Sequence, residues 1–84
     1  MNEEIREEIY EKICDRVVKR LNAQRENLTL ETKFVADLGG KSLEYAQMAQ
    51  YLNAEYDVEM PYLKFSKLET LGEMVDYVVE EMGY

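Results

Sequence analysis

The stretch Asp37-Leu38-Gly39-Gly40-Lys41-Ser42-Leu43 presents a serine at the point where a helix is expected to begin. Its two glycines predict a tight, open turn with little side-chain bulk. Ser42 falls at or next to the first residue of an apolar-periodic segment, the usual place for an N-cap hydroxyl. The free N–H groups and the dipole of a helix start also favour a phosphate, so a hydroxyl here could carry a phosphodiester. The alternative is that Ser42 only caps its helix.

The segments on either side of this turn predict helices. Residues 3 to about 20 carry apolar side chains at helical spacing opposite a charged face, and residues 42 to about 56 place one apolar face towards a core. Pro61 ends the second helix and could open a short helical turn over residues 62–65. Thr70 with Glu73 matches a capping box that opens a last helix. The expected core faces are Ile5, Ile9, Ile13, Cys14, Val17, Val18 and Leu21; then Tyr45, Met48, Ala49, Leu52 and Tyr56; and finally Leu71, Met74, Val75, Val78, Val79 and Met82, with Gly83 as a natural stop.

Residues 22–41 form a long connection without clear periodicity. Connections of this length are often functional in compact domains. Its apolar residues are expected to hold it on the core, so that it crosses the bundle and delivers Ser42 to one end; they are Leu28, Leu30, Phe34, Val35 and Leu38. The sequence therefore predicts an all-α four-helix bundle, with three main helices, one short helix and a long first loop, as a single domain over residues 1–84.

Size and charge limit the classes of function. The chain has 84 residues, with 18 acids against 10 bases, a net charge of −8 and no histidine. One modest core leaves little room for an enclosed catalytic pocket. The acidic balance argues against nucleic acid and favours basic protein partners, and the lack of histidine removes the commonest general base. We therefore expect no catalytic residues and no bound metal.

The single cysteine and the N-terminal stretch indicate where the protein works. Cys14 has no second cysteine to pair with, and its place in the apolar pattern predicts a buried packing thiol. The first residues are acidic and interrupted by charge, unlike a signal peptide, and no apolar run approaches membrane-spanning length. We expect a cytoplasmic monomer that binds neither membranes nor nucleic acid.

The chain resembles the acyl carrier proteins over nearly its whole length. The most specific part is Phe34-Val35-Ala36-Asp37-Leu38-Gly39-Gly40-Lys41-Ser42-Leu43, which is similar to the family pattern Asp-Leu-Gly-x-x-Ser-Leu. The run Glu55-Tyr56-Asp57-Val58-Glu59-Met60-Pro61 looks like the family's acidic, aromatic and β-branched run ending in proline, and Thr70-Leu71 stands where the family begins its last helix. Several matched elements in the right order make the resemblance specific, which Gly-Gly-x-Ser alone would not.

The resemblance implies a carrier whose serine, here Ser42, receives phosphopantetheine from coenzyme A through a separate phosphopantetheinyl transferase. The thiol of that arm holds an acyl group as a thioester, so the chemistry belongs to the prosthetic group and the partner enzymes, and the chain itself is expected not to be an enzyme. The resemblance therefore implies a free-standing acyl carrier for fatty-acid, polyketide or related biosynthesis. A peptidyl or aminoacyl carrier is an alternative. An unmodified helical interaction domain is another, but it leaves the ordered match around Ser42 unexplained.

Three departures from fatty-acid carriers bear on the partners. Lys41 stands where those carriers usually have Asp, Gly39-Gly40 is more like peptidyl carriers, and the outer face of the second helix is less acidic than usual. We expect synthase or acyl-transferring enzymes with basic patches to bind near Ser42, with contacts that depend unusually on apolar and amide groups. The residues predicted to bind partners are Asp37, Lys41, Leu43, Glu44 and Gln47.

Tyr45 bears on the cargo. It lies on the core-facing side one turn after Ser42, where its ring could fill space that an acyl chain would enter. Ala49 beside it could restore some room. The pair predicts short or polar cargo, or a chain held mostly outside the bundle.

Overall fold

The computed structural model describes residues 2–84 as a helical bundle. Its helices are α1 (Asn2–Leu21), α2 (Ser42–Tyr56), α3 (Tyr62–Phe65) and α4 (Leu71–Glu81). A short turn of 3-10 helix, Arg25–Asn27, interrupts the long first loop. Over these residues no β-strand forms, and the predicted all-α bundle is confirmed. None of the helices described within residues 2–84 has the length and apolar character that crossing a membrane requires.

The ends of the main helices follow from their terminal residues. The first turn of α1 is acidic and its last turn basic, which complements the helix dipole. At the start of α4, the Thr70 hydroxyl accepts a hydrogen bond from the Glu73 N–H at 3.1 Å. The Glu73 carboxylate in turn accepts from the Thr70 N–H at 3.4 Å. This reciprocal pair is the capping box that the sequence predicts, and α4 ends at Glu81, just before Gly83.

The core lies between α1, α2 and α4, with α1 packed mainly on α4. The predicted apolar faces point into it, and Phe34 and Phe65 are its largest fully buried side chains. Cys14 is fully buried, as expected for a packing thiol, and this burial raises the pKa of the thiol. The outer members of the predicted faces are partly buried against the core: Ile5, Val18, Leu21, Tyr56 and Met82.

The long loop is held on the core differently from the prediction. Leu28 and Phe34 are buried as expected, but Leu30 and Val35 are 43% and 56% exposed, so the prediction was wrong for these two. The reason is that backbone hydrogen bonds hold this part of the loop on the start of α4. Gly72 N–H donates to the Leu30 carbonyl at 2.8 Å, and the Phe34 N–H donates to the Glu69 carbonyl at 2.8 Å. These two side chains are therefore not needed to fasten the loop.

Candidate functional site

Ser42 is the first residue of α2, and its side chain is exposed. The N-cap is Lys41, which has an extended backbone (φ −122°, ψ −178°) and makes no side-chain cap hydrogen bond. Within residues 2–84 the Ser42 hydroxyl makes no hydrogen bond, so the alternative in which it only caps the helix is wrong. The position one residue past the cap leaves the hydroxyl available for chemistry.

The turn before Ser42 depends on its two glycines. Gly39 has φ +70°, a left-handed conformation that favours glycine. Gly40 is buried against Phe34, and a Cβ added to it would overlap the phenyl ring and lie 3.0 Å from the Phe34 carbonyl oxygen. The Gly40 N–H donates to that same carbonyl at 2.9 Å. The buried Phe34 thus fixes the path of the chain into α2.

Asp37 closes this turn. Its carboxylate oxygen Oδ2 accepts a hydrogen bond from the Lys33 N–H at 2.8 Å, while the Asp37 N–H donates to the Lys33 carbonyl at 3.0 Å. The side chain is exposed. Asp37, which the sequence predicts as a partner-binding residue, therefore has an intramolecular role in holding the turn.

The start of α2 offers donors to an anion. The Glu44 carboxylate accepts from the Lys41 N–H at 2.7 Å, and the Tyr45 N–H donates to the Lys41 carbonyl at 3.1 Å. The N–H groups of Ser42 and Leu43 have no acceptor within residues 2–84. Free N–H groups at a helix start bind phosphates, because they combine hydrogen-bond donors with the positive end of the helix dipole. The residues present here fit a phosphodiester on the Ser42 hydroxyl.

The predicted partner-binding residues divide between two faces. Lys41 and Leu43 are exposed, and Leu43, at 62% exposure, lies on the solvent side. Glu44 and Gln47 are half-buried and turn towards α1, where they line a small crevice with Arg16. The structure therefore brings Lys41 and Leu43 beside Ser42 on the open side, and places Gln47 on the side that faces α1.

Charged groups along the seam between α1 and α2 are paired within the chain. Lys12 Nζ lies 2.5 Å from Glu55 Oε1, and the Tyr56 hydroxyl donates to Glu8 at 2.8 Å. The Arg16 guanidinium lies 4.5 Å from the centre of the Tyr51 ring. The outer face of α2 between this seam and α3 carries no charge; its members are Leu43, Ala46, Gln50 and Ala54.

A groove between α2 and α3 continues this uncharged face and was missed by the sequence reasoning. It encloses about 280 Å³ and is lined by Ala46, Ala49, Gln50, Asn53, Met60 and Tyr62. The small side chains of Ala46 and Ala49, spaced to share one helix face, were the signal that could have indicated it.

Tyr45 fills the interior next to the site. The residue is only 6% exposed, and its ring centre lies 4.5 Å from that of Phe34 and 6.1 Å from that of Phe65. Burial raises the pKa of the Tyr45 hydroxyl, and the nearby Glu69 and Glu73 raise it further. The predicted core-facing position of Tyr45 is confirmed. Outside the ring, an open groove of about 380 Å³ runs over Val35, Ala36, Ser66 and Leu68, with Lys33, Lys67 and Glu69 along it.

Comparison with known proteins adds to this geometry. The family model described as the phosphopantetheine attachment site matches residues 11–78, from within α1 to within α4. The acyl carrier protein of Clostridium acetobutylicum is 30% identical over 70 residues, which are 83% of this chain and 91% of that protein. The acyl carrier protein of Chlorobium phaeobacteroides is 31% identical over 74 residues, or 88% of this chain and 95% of that protein. The matches span the turn, the start of α2 and most of the core.

Proposed function

We propose that this chain, which belongs to the acyl carrier protein family, carries its phosphopantetheine arm on the hydroxyl of Ser42. The observation that supports this is an exposed hydroxyl at the first residue of α2 that has no hydrogen-bond partner within residues 2–84, beside two N–H groups that are likewise free over those residues. The only other serine, Ser66, is half-buried at the end of α3 and lacks this setting.

The residues around Ser42 position the arm. When bound, phosphopantetheine supplies a thiol that holds an acyl group as a thioester. The N–H groups of Ser42 and Leu43 would receive the phosphate, and the turn packed on Phe34 would keep the attachment point in one place. Acyl carrier proteins are carriers rather than catalysts, and tethering raises the effective concentration of the intermediate at each partner enzyme.

We propose short or polar acyl cargo, for fatty-acid, polyketide or related biosynthesis. The ring of Tyr45 fills the interior one turn from Ser42, and the groove outside it is open to solvent. The buried Tyr45 ring, together with Gly39-Gly40 and Lys41, also supports the alternative of a peptidyl or aminoacyl carrier, whose cargo would stay outside the bundle.

The partners we propose are a phosphopantetheinyl transferase and acyl-transferring or synthase enzymes with basic patches. Asp37, Lys41, Leu43, Glu44 and Gln47 stay the predicted contact residues, with Leu43 the best exposed apolar side chain among them. A single carrier domain over residues 1–84, a monomeric state and a cytoplasmic location also stay predictions.

Intact-mass spectrometry tests the attachment site. The chain is incubated with coenzyme A and a broad-specificity phosphopantetheinyl transferase, and the wild type and Ser66→Ala should each gain one arm, whereas Ser42→Ala should gain none. Because the Ser42 hydroxyl does not cap the helix, Ser42→Ala should change the free energy of unfolding by no more than about 0.5 kcal/mol. An arm on Ser42→Ala would overturn the assignment, and loss of its helical circular dichroism would indicate a structural role instead.

A further inference from the structure

A second groove lies between α1 and α4, and α2 contributes no residue to it. It encloses about 310 Å³ and is lined by Glu3, Arg6, Glu7, Tyr10, Leu30 and Val75. We call it the α1–α4 groove. Its residues have no part in holding Ser42, and the carrier function leaves them unexplained.

The apolar part of this groove is kept open by the backbone. Leu30 is 43% exposed, so that its side chain offers apolar surface to the groove. Its carbonyl accepts a hydrogen bond from the Gly72 N–H at 2.8 Å, and a Cβ on Gly72 would approach that oxygen to 2.9 Å. The close approach of the loop to α4 therefore sets Leu30 beside Val75 with its side chain turned towards solvent.

The rim of the groove is acidic. Glu3 and Glu7 are exposed, and the one cation among the lining residues, Arg6, is already bound to Asp76 with 2.5 Å between Nη1 and Oδ1. The adjoining helix α4 contains four acidic residues and no Lys or Arg. Neither Glu3 nor Glu7 forms an ion pair with a Lys or Arg of residues 2–84. An apolar floor beside these carboxylates fits a ligand with apolar and cationic groups close together.

We propose that the α1–α4 groove docks a basic amphipathic segment of a partner protein. Leucine-like side chains of that segment, or the aliphatic stems of its Lys and Arg residues, would pack on Leu30, Tyr10 and Val75, and its cations would lie against Glu3 and Glu7. A second copy of this chain is disfavoured as the occupant, because both copies would present the same negative rim. The site goes beyond the carrier function, since a partner held here would leave Ser42 and α2 free for another enzyme.

Titration with a designed peptide tests the proposal. The probe is a short helical peptide with arginines and leucines on adjoining stripes, added to the ¹⁵N-labelled full chain at low salt. The amide signals of Tyr10, Leu30, Gly72 and Val75 should shift and those of α2 should not. The variants Leu30→Ala and Glu3→Gln/Glu7→Gln should each weaken binding about fivefold or more, as the loss of a small apolar contact or of two exposed ion pairs would.

Matched controls separate a specific site from general attraction to an acidic protein. Glu26→Gln/Glu59→Gln removes the same charge from exposed positions elsewhere on the chain. This variant should bind the peptide within about twofold of wild type, because a twofold change is no more than the loss of one weak exposed ion pair. A peptide with glutamine in place of arginine should bind weakly. The proposal is overturned if both double variants weaken binding equally, if the shifts map to α2, or if sedimentation shows that self-association covers the groove. Phosphopantetheine transfer to Leu30→Ala should be unchanged, so failure of this site and failure at Ser42 are told apart.

Discussion

The hydroxyl of Tyr45 donates a hydrogen bond of 2.6 Å to the backbone carbonyl of Leu68. This bond ties the first turn of α2, directly after Ser42, to the connection between α3 and α4. Between its two ends the ring is packed against Phe34 and Phe65, and it fills part of the core one turn from Ser42. The Tyr45 ring therefore occupies space that an acyl chain on the arm could otherwise enter.

Replacing Tyr45 should therefore change the handling of long cargo. Wild-type protein loaded with a long-chain acyl thioester should protect it little from hydrolysis, and Tyr45→Ala should protect it better, because the lost ring opens a cavity. The same change should cost about 3–5 kcal/mol of unfolding free energy, as other large aromatic truncations do. Thioester half-life and urea unfolding measure the two effects.

Tyr45→Phe is the matched control for that experiment. It keeps the ring but removes the hydrogen bond to Leu68, so it should cost about 1 kcal/mol and leave the hydrolysis rate unchanged. Strong protection of a long-chain thioester by the wild type, with NMR shifts at Leu52 and Val75, would contradict the proposed short or polar cargo.

Gly40→Ala should destabilise the fold and disturb the attachment site. The new methyl group would overlap the ring of Phe34, which is 1% exposed and cannot move without shifting its neighbours, so we expect a loss of about 1–3 kcal/mol. Gly39→Ala is the comparison, because nothing lies within 4 Å of its added Cβ and only the positive φ is strained. That variant should lose about 1–2 kcal/mol. The ring signals of Phe34 should shift in Gly40→Ala alone; equal shifts in both variants would contradict the packing argument.

The sequence predicted the helices well, because their signals are local. Apolar spacing within one helix places Met48 and Leu52 in the core. The start of α4 is marked by Thr70 and Glu73, which lie only three residues apart in the sequence. The loop was harder. Leu30 and Val35 are apolar, and nothing in their neighbourhood shows that backbone hydrogen bonds to residues 69–72 would leave their side chains exposed.

The sequence singles out Ser42 as the candidate attachment residue, but it does not give the local geometry around it. Whether a residue is the N-cap or the first helical residue depends on its backbone conformation. Lys41, rather than Ser42, has the extended conformation of an N-cap. Similarly, the half-buried position of Gln47 depends on how closely α1 approaches α2, and the spacing of residues within one helix does not contain that distance.

Lys41→Asp should stabilise the chain. The N-cap of α2 has no side-chain acceptor in the wild type, since an ammonium group cannot accept a hydrogen bond, whereas an aspartate could accept from the backbone and favour the helix dipole. We expect a gain of about 1 kcal/mol in urea unfolding relative to Lys41→Ala, which removes the charge without adding an acceptor. The aspartate should also improve modification or acylation by fatty-acid-type enzymes while weakening the native partner. If Lys41→Asp is no more stable than Lys41→Ala, the missing side-chain acceptor at the N-cap does not limit the stability of the fold.

Recognition beside Ser42 should depend more on Leu43 than on the acid next to it. The carboxylate of Glu44 is engaged by the Lys41 N–H, whereas Leu43 is 62% exposed on an uncharged face. Leu43→Ala should therefore lower kcat/KM for phosphopantetheine transfer by the native transferase. The decrease should correspond to a loss of more than about 1 kcal/mol, as expected for a small hot spot. Glu44→Gln should do less, because glutamine can keep the hydrogen bond to Lys41. Leu63→Ala, which truncates an even more exposed leucine on α3, is the matched control and should be silent. Added salt should slow association in all variants alike, since the net charge of −8 acts at long range. If Leu43→Ala is silent and Lys41→Asp alters neither reaction, the recognition surface lies elsewhere, even if mass spectrometry finds the arm on Ser42.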